Sequence, residues 1–103
     1  MQFDVYRNPV PRARRAYPFV AVLQSDAAET DRDRVIAFLA PGAALPDIAG
    51  RLAPIVEVDG RKFVLLVHLL TTIRAADLGN AAGSIGAHRE RIVQALDWLF
   101  LGV

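Results

Sequence analysis

The sequence predicts a mainly β domain with one α-helix at its C-terminal end. Three observations carry that reading: period-2 alternation near the N-terminus, an Asp-Gly turn between two β-rich runs, and a change to helical periodicity after a glycine-rich stretch.

Phe3, Val5 and Arg7 alternate with Gln2, Asp4 and Tyr6, which is the pattern of a first strand; Pro9 and Pro11 end it, because proline has no N–H to give to a ladder. Arg12, Arg14 and Arg15 stand between Pro9 and Ala16, a composition that suits an exposed basic loop. Tyr17 to Leu23 is rich in β-formers and stops at Gln24-Ser25-Asp26. After a charged turn over Thr30 to Arg34, Val35 to Leu39 reads as the next strand, and Pro41 to Ala53, with Gly42, Pro46 and Gly50, reads as irregular. Ile55 to Leu66 forms a hairpin about Asp59-Gly60, since this pair accepts the positive φ of the primed turns that match strand twist. The apolar run through His68 to Ile73 fits one bent strand or two short ones. Gly79, Gly83 and Gly86 then read as hinge glycines, with Ser84 capping a helix whose apolar positions are Ile85, Ile92, Leu96, Leu99, Phe100 and Val103.

A chain of 103 residues, 53% hydrophobic and 22% charged, can bury enough apolar surface to fold and fits one domain, residues 1–103. A core of this size leaves modest stability, so oligomerisation is a natural supplement. Twelve basic against eleven acidic residues leave a net charge of +1, too weak a field to argue for nucleic acid or a membrane surface. The chain has no cysteine, which removes disulfides, thiolate catalysis and zinc sites of the cysteine type. Met1 to Arg7 lacks the apolar stretch of a signal peptide. The longest apolar run, Phe63 to Leu70, is broken by His68 and falls far below the ~18 residues of a membrane span. A cytoplasmic protein is the expectation.

The residues that carry chemistry are sparse. His68 and His88 stand singly, without a second histidine at metal spacing, and read as structural. Ser25 sits in a turn and Ser84 at the expected cap; neither lies in a G-x-S-x-G elbow. The three glycines before the helix lack both the P-loop lysine and the G-x-G-x-x-G spacing. The expectation is a protein without catalytic residues, metal or cofactor, acting through a surface shown to other proteins. The helix offers such a surface. At about 100° per residue, Ile85, Ile92, Leu96, Leu99 and Val103 share one stripe, with Glu90, Arg91, Gln94 and Asp97 opposite. Trp98 and Leu101 fall on the polar side as helical neighbours, the composition of a binding hot spot.

Several short matches recur in order along nearly the whole chain: Met1-Gln2-Phe3 with Val5-Tyr6, Val22 with Gln24-Ser25-Asp26, Pro54 with Val56, Val58 and Gly60, then Ile92, Ala95, Phe100 and Gly102. On these residues the chain resembles the CcdB family of bacterial toxins, which pair with a CcdA antitoxin. The resemblance implies an SH3-like barrel of antiparallel strands with a C-terminal α-helix, and a cytoplasmic homodimer without enzyme activity. It implies the toxin of a type II toxin-antitoxin system of the plasmid-maintenance kind. Such a toxin binds the DNA gyrase A subunit, traps the gyrase-DNA cleavage complex, and is neutralised by a CcdA-like antitoxin. The family's poisoning surface maps here onto Leu101-Gly102-Val103, Asp97, and Ala27 with Ala28. Two departures stand out: Leu101 replaces the family's Trp, and Ala27 and Ala28 replace two bulky aliphatics. Trp98, one turn back on the same face as Leu101, is placed to supply the missing ring. The expected gyrase contacts are therefore Trp98, Leu101, Gly102, Val103, Asp97, Ala27 and Ala28, and the expected antitoxin contacts are Arg12, Arg14 and Arg15 with neighbouring apolar sheet. Two alternatives stay open. One is an endoribonuclease toxin of the MazF/Kid type, using Arg12, Arg14 or Arg15 with Asp77; the other is a degenerate homologue that binds antitoxin without poisoning gyrase.

Overall fold

The computed structural model describes residues 1–42 and 52–102; among them seven strands form one antiparallel sheet, curled into a nearly closed barrel, with one α-helix packed on it. The strands are β1 (Asp4–Arg7), β2 (Phe19–Val22), β3 (Asp33–Pro41), β4 (Ile55–Val58), β5 (Arg61–Leu65), β6 (Thr71–Arg74) and β7 (Gly83–Ser84). They are ordered β4-β5-β3-β2-β1-β7, with β6 paired to β3. The helix, α1, spans Arg89–Leu101.

β3 organises the sheet. One edge pairs with β2, from Val22↔Ile36 to Phe19↔Leu39. The other edge is shared: β5 takes the C-terminal half through Leu39↔Leu65, and β6 takes the N-terminal half through Ile36↔Thr71. The apolar run after the hairpin is thus neither a bent strand nor two short ones: a 3-10 turn at Val67–Leu69, which buries Val67 and leaves His68 exposed, leads into the single strand β6. The hairpin itself forms as the sequence predicts, with Asp59 at φ 51° and Gly60 at φ 74°, the left-handed pair of a primed turn. β3 is longer than Val35 to Leu39 because Asp33 and Arg34 also pair, opposite Arg74 and Ile73, as do Ala40 and Pro41, opposite Val64 and Phe63; most of the segment expected to be irregular, 43–51, lies outside the described residues. A ladder uses backbone groups, so charged side chains at the sheet's end do not prevent it. Arg34 is held there by Glu29 at 2.8 Å.

Alternation along β3 divides the apolar residues between two faces. Ala37 and Leu39 join the main core with Phe3, Val5, Leu23, Val56, Phe63, Leu65 and Ile85, which Ile92 and Ala95 of α1 complete. Ile36 turns the other way, to Val20 and Val22 under Tyr6, Phe38, Ile73 and Leu78. Ala40 packs on that second face with Ala53, Val64 and Leu66, beneath Tyr17 and Phe38, whose rings stack at 5.1 Å.

The helix start corrects the sequence reading. Ser84 is not its cap: it lies in β7 opposite Asp4, and its Oγ accepts from the Gly86 N–H at 3.1 Å. The next residue is still tied to the sheet, for the Ile85 N–H donates to the Phe3 carbonyl at 2.9 Å. A 3-10 turn over Gly86–His88 intervenes, and α1 begins only at Arg89. Ile85 is fully buried, but from outside the helix. Gly83 is no free hinge either, since a Cβ there would stand 3.1 Å from Val58 Cγ1. That close approach brings together β7 and β4, the two ends of the strand order.

Asn8 fixes the loop after β1. It is fully buried and spends every polar group it has. Its N–H donates to the Pro18 carbonyl at 3.0 Å and its Nδ2 to the Tyr17 carbonyl at 2.8 Å. Its Oδ1 accepts from Val10 N–H at 3.0 Å and its carbonyl from Arg14 Nε at 2.6 Å. Asn8→Ala removes both side-chain bonds and leaves two partly buried backbone groups unpaired, so the unfolding free energy in urea should fall by about 2–4 kcal/mol. A loss under about 0.5 kcal/mol would show that water replaces the amide.

Candidate functional site

The exposed apolar surface gathers at the end of α1. Gly102 stops the helix in the left-handed region, at φ 71°, with its N–H donating to the Trp98 carbonyl at 3.1 Å. This is a position glycine fills without a Cβ penalty. Leu101 is 70% exposed, Phe100 68%, Trp98 37%, and Asp97 is exposed one turn before Leu101. Val103 lies outside the described residues. Around the helix axis, Leu101 points directly away from the buried stripe of Ile92, Ala95, Leu96 and Leu99, with Trp98 toward one flank and Phe100 toward the other.

Phe100 stands outside the packed stripe. It lies about 80° round the axis from Ile92, at the stripe's margin, and is among the most exposed large apolar residues described. Val93, seven residues earlier on the same line, is 36% exposed. The angle of this Val93–Phe100 line separates it from the core stripe.

The second part of the expected surface is the turn after β2. Ser25 Oγ accepts from the Ala28 N–H at 3.2 Å and caps a 3-10 turn, Asp26–Ala28. Asp26 Oδ1 accepts from the Gln2 N–H at 2.9 Å, and Gln2 Nε2 donates to the Leu23 carbonyl at 3.1 Å. Gln24 Oε1 accepts from the Val35 N–H at 3.0 Å, while its Nε2 donates to the Ala28 carbonyl. These bonds hold Ala27 and Ala28 outward, both exposed. Gln2 also joins this turn to the start of α1, accepting from Arg89 at 3.4 Å; the Arg89 guanidinium lies 5.7 Å from the centre of the Phe3 ring. Leu101 follows Arg89 by twelve residues, about 18 Å of helical rise. The Asp26–Gln2–Arg89 links thus tie the turn that carries Ala27 and Ala28 to the beginning of the helix, and Asp97, Trp98, Leu101 and Gly102 stand at its end.

The basic loop contains a short 3-10 turn, Pro11–Ala13. Arg12 and Arg15 are exposed, whereas Arg14 is half-buried and bound to the Asn8 carbonyl, so it pins the loop. Among the described residues none of the three forms a salt bridge. Asp77 is elsewhere: it pairs with Arg74 at 3.5 Å, and Ala75 N–H bonds to the Arg32 carbonyl, at the N-terminal end of β3. The arginine loop adjoins Phe19, which is opposite Leu39 near the other end of β3. Arg32 to Leu39 is about 20 Å of strand, so Asp77 and the loop arginines do not form a cluster.

Among the described residues no group of three histidine, cysteine or carboxylate side chains is gathered for a metal, and no helix is long and apolar enough to cross a membrane. Burial, with Asp4 adding to it and Arg34 opposing, raises the Tyr6 phenol above its ordinary 10.0. His88 Nε2 accepts from the Glu57 N–H at 3.1 Å.

Compared with known proteins, the chain is matched by the family model described as CcdB protein over residues 2–102. No curated protein matches it.

Substitution should separate surface from core on α1. Leu101→Ser and Phe100→Ser are expected to change the unfolding free energy by no more than about 0.5 kcal/mol. Ile92→Ala, in the packed stripe, should cost about 2–5 kcal/mol in the same denaturant titration.

Proposed function

The chain belongs to the CcdB family of toxins of toxin-antitoxin systems, and we propose that it acts as one toxin domain, residues 1–103, that binds the DNA gyrase A subunit, traps its cleavage complex with DNA, and is neutralised by a CcdA-like antitoxin. The observation that carries this reading is the end of α1, where exposed Leu101, Phe100 and Trp98 surround a glycine-stopped terminus beside Asp97. Large apolar side chains ringed by polar groups supply binding energy out of proportion to their area. Gly102 has open space where a side chain would sit, which lets a partner backbone come close. The contact set is Asp97, Trp98, Leu101, Gly102 and Val103, with Ala27 and Ala28.

The functional unit is a homodimer. Within one copy the turn carrying Ala27 and Ala28 is tied to the beginning of α1 while Leu101 stands at its end, and pairing would offer a target two such surfaces. Exposed Val93 and Phe100 supply apolar area for pairing. Light scattering at micromolar concentration should give twice the 11.2 kDa chain mass, and a monomer mass would refute pairing.

The antitoxin meets Arg12 and Arg15, free to engage an acidic segment, with Arg14 supporting the loop from within. The ribonuclease alternative loses ground because Asp77 is committed to Arg74 at the far end of β3.

Expression of the chain should arrest growth, co-expression of its antitoxin should relieve the arrest, and purified protein should stabilise gyrase-DNA cleavage complexes. Leu101→Asp should cost about 2 kcal/mol or more of gyrase binding, roughly a thirtyfold loss, at unchanged melting temperature. Arrest without cleavage complexes but with RNA fragments would overturn the gyrase reading. Antitoxin binding without arrest would show that the small side chains at Ala27, Ala28 and Leu101 have removed the poisoning activity.

A further inference from the structure

β4 is an outer strand of the sheet, bonded to β5 on one side only. An outer strand leaves alternate N–H groups facing away from the sheet, and these ordinarily go to water. At Glu57 the acceptor is instead a side chain thirty-one residues away: His88 Nε2, at 3.1 Å. His88 occupies the residue before α1, where its side chain makes no bond to its own helix. The ring is half-buried and turned onto the strand. This imidazole hydrogen-bonds two elements that share no ladder, the edge of the barrel and the start of α1.

A histidine nitrogen accepts a hydrogen bond only when it carries no proton, so the observed geometry requires the neutral ring with its hydrogen on Nδ1. We propose that His88 is a proton-operated latch between β4 and α1: the neutral ring holds the Glu57 amide, and the protonated ring releases it. An imidazolium would set an N–H against the Glu57 N–H, and the bond could not persist. The charged groups on the surrounding elements are Arg89, Glu90 and Arg91 of α1, Glu57 of β4 and its cross-strand partner Lys62 of β5. Ser84, Gly86 and Ala87, leading into the helix, carry no charge. Among the described residues His88 has no ion pair that would retain the protonated ring in place. Release leaves the main core intact, because Ile92, Ala95 and Ile85 hold by burial. It frees the start of α1 and exposes a strand edge. The inference does not depend on the toxin reading.

The experiment is amide hydrogen exchange on the full chain, read by NMR between pH 8 and pH 5, the range over which imidazoles take up a proton. The reference is the Leu65 amide, bonded to the Pro54 carbonyl at 3.0 Å in the same hairpin. In the wild-type protein the protection factor of Glu57 relative to Leu65 should fall at least tenfold across that range. His88→Phe, which keeps a ring but no acceptor, should give low Glu57 protection at every pH. A ratio that stays constant in the wild type, or a His88→Phe variant that protects Glu57 as well as the wild type, would overturn the latch. The wild-type series alone decides the matter if the variant does not fold.

Discussion

Everything in this molecule is arranged around the burial of β3 on both faces. A strand with two covered faces needs partners on each, and a chain of 103 residues has little with which to supply them. The inner face is covered by the curl of the sheet itself and by α1. The outer face is covered piecemeal, by Tyr17, stacked on Phe38 of the strand itself, at one end and by Tyr6, Ile73 and Leu78 at the other. That division explains the broken strand opposite β3. β5 and β6 lie along one edge, but the 3-10 turn between them inserts residues that the ladder does not need, and so reaims the chain. It also explains why the irregular segments are well bonded: the loop after β1 carries Tyr17, a lid of the outer face, and Asn8 fixes that loop with four hydrogen bonds.

What the sequence revealed and what it hid follow from the range of the forces involved. The hairpin was legible because a primed turn is decided by two adjacent residues, Asp59 and Gly60, whose conformational freedom is local. The first strand was legible in part: Val5 is buried within β1, whereas Phe3 is buried from just outside the strand, at φ 69°. The start of α1 was not. Ser84 has the chemistry of a cap, but whether it caps is settled by Phe3, whose carbonyl takes the Ile85 N–H and keeps the segment in the sheet. Nothing near Ser84 encodes that long-range bond. Asp33 and Arg34 looked like a turn because polarity was read as exposure, whereas strand pairing is a backbone matter and both are half-buried. Phe100, apolar but outside the stripe drawn at about 100° per residue, is exposed as its angle implies.

The candidate site was legible in a different way. Residues on which the family likeness rests serve the scaffold: Gln2, Gln24, Ser25 and Asp26 bond a turn together, Gly60 supplies a left-handed position in the hairpin, and Gly102 stops the helix. Each is constrained by a hydrogen bond or a backbone angle that other side chains fail to satisfy. Ala27, Ala28 and Leu101 are under no such constraint. They are exposed, and the capped turn and the stopped helix present whatever side chain stands there.

This separation lets scaffold and surface vary independently, and it bears on how the departures at these positions should be weighed. Replacing a bulky side chain at Ala27 or Ala28 removes contact area without disturbing the Ser25 cap or the Asp26 bond to Gln2, because those bonds use other atoms. Leu101 in place of a ring likewise leaves the left-handed stop at Gly102 untouched. The fold therefore gives no account of these changes; only the target can. Trp98 and Phe100, to either side of Leu101, keep aromatic area within one turn of the helix end. A target that tolerates a displaced ring would still find one, and a target that requires it at Leu101 would not. On the proposed gyrase reading, the geometry of the partner's pocket, more than the stability of this chain, thus decides whether the surface is active.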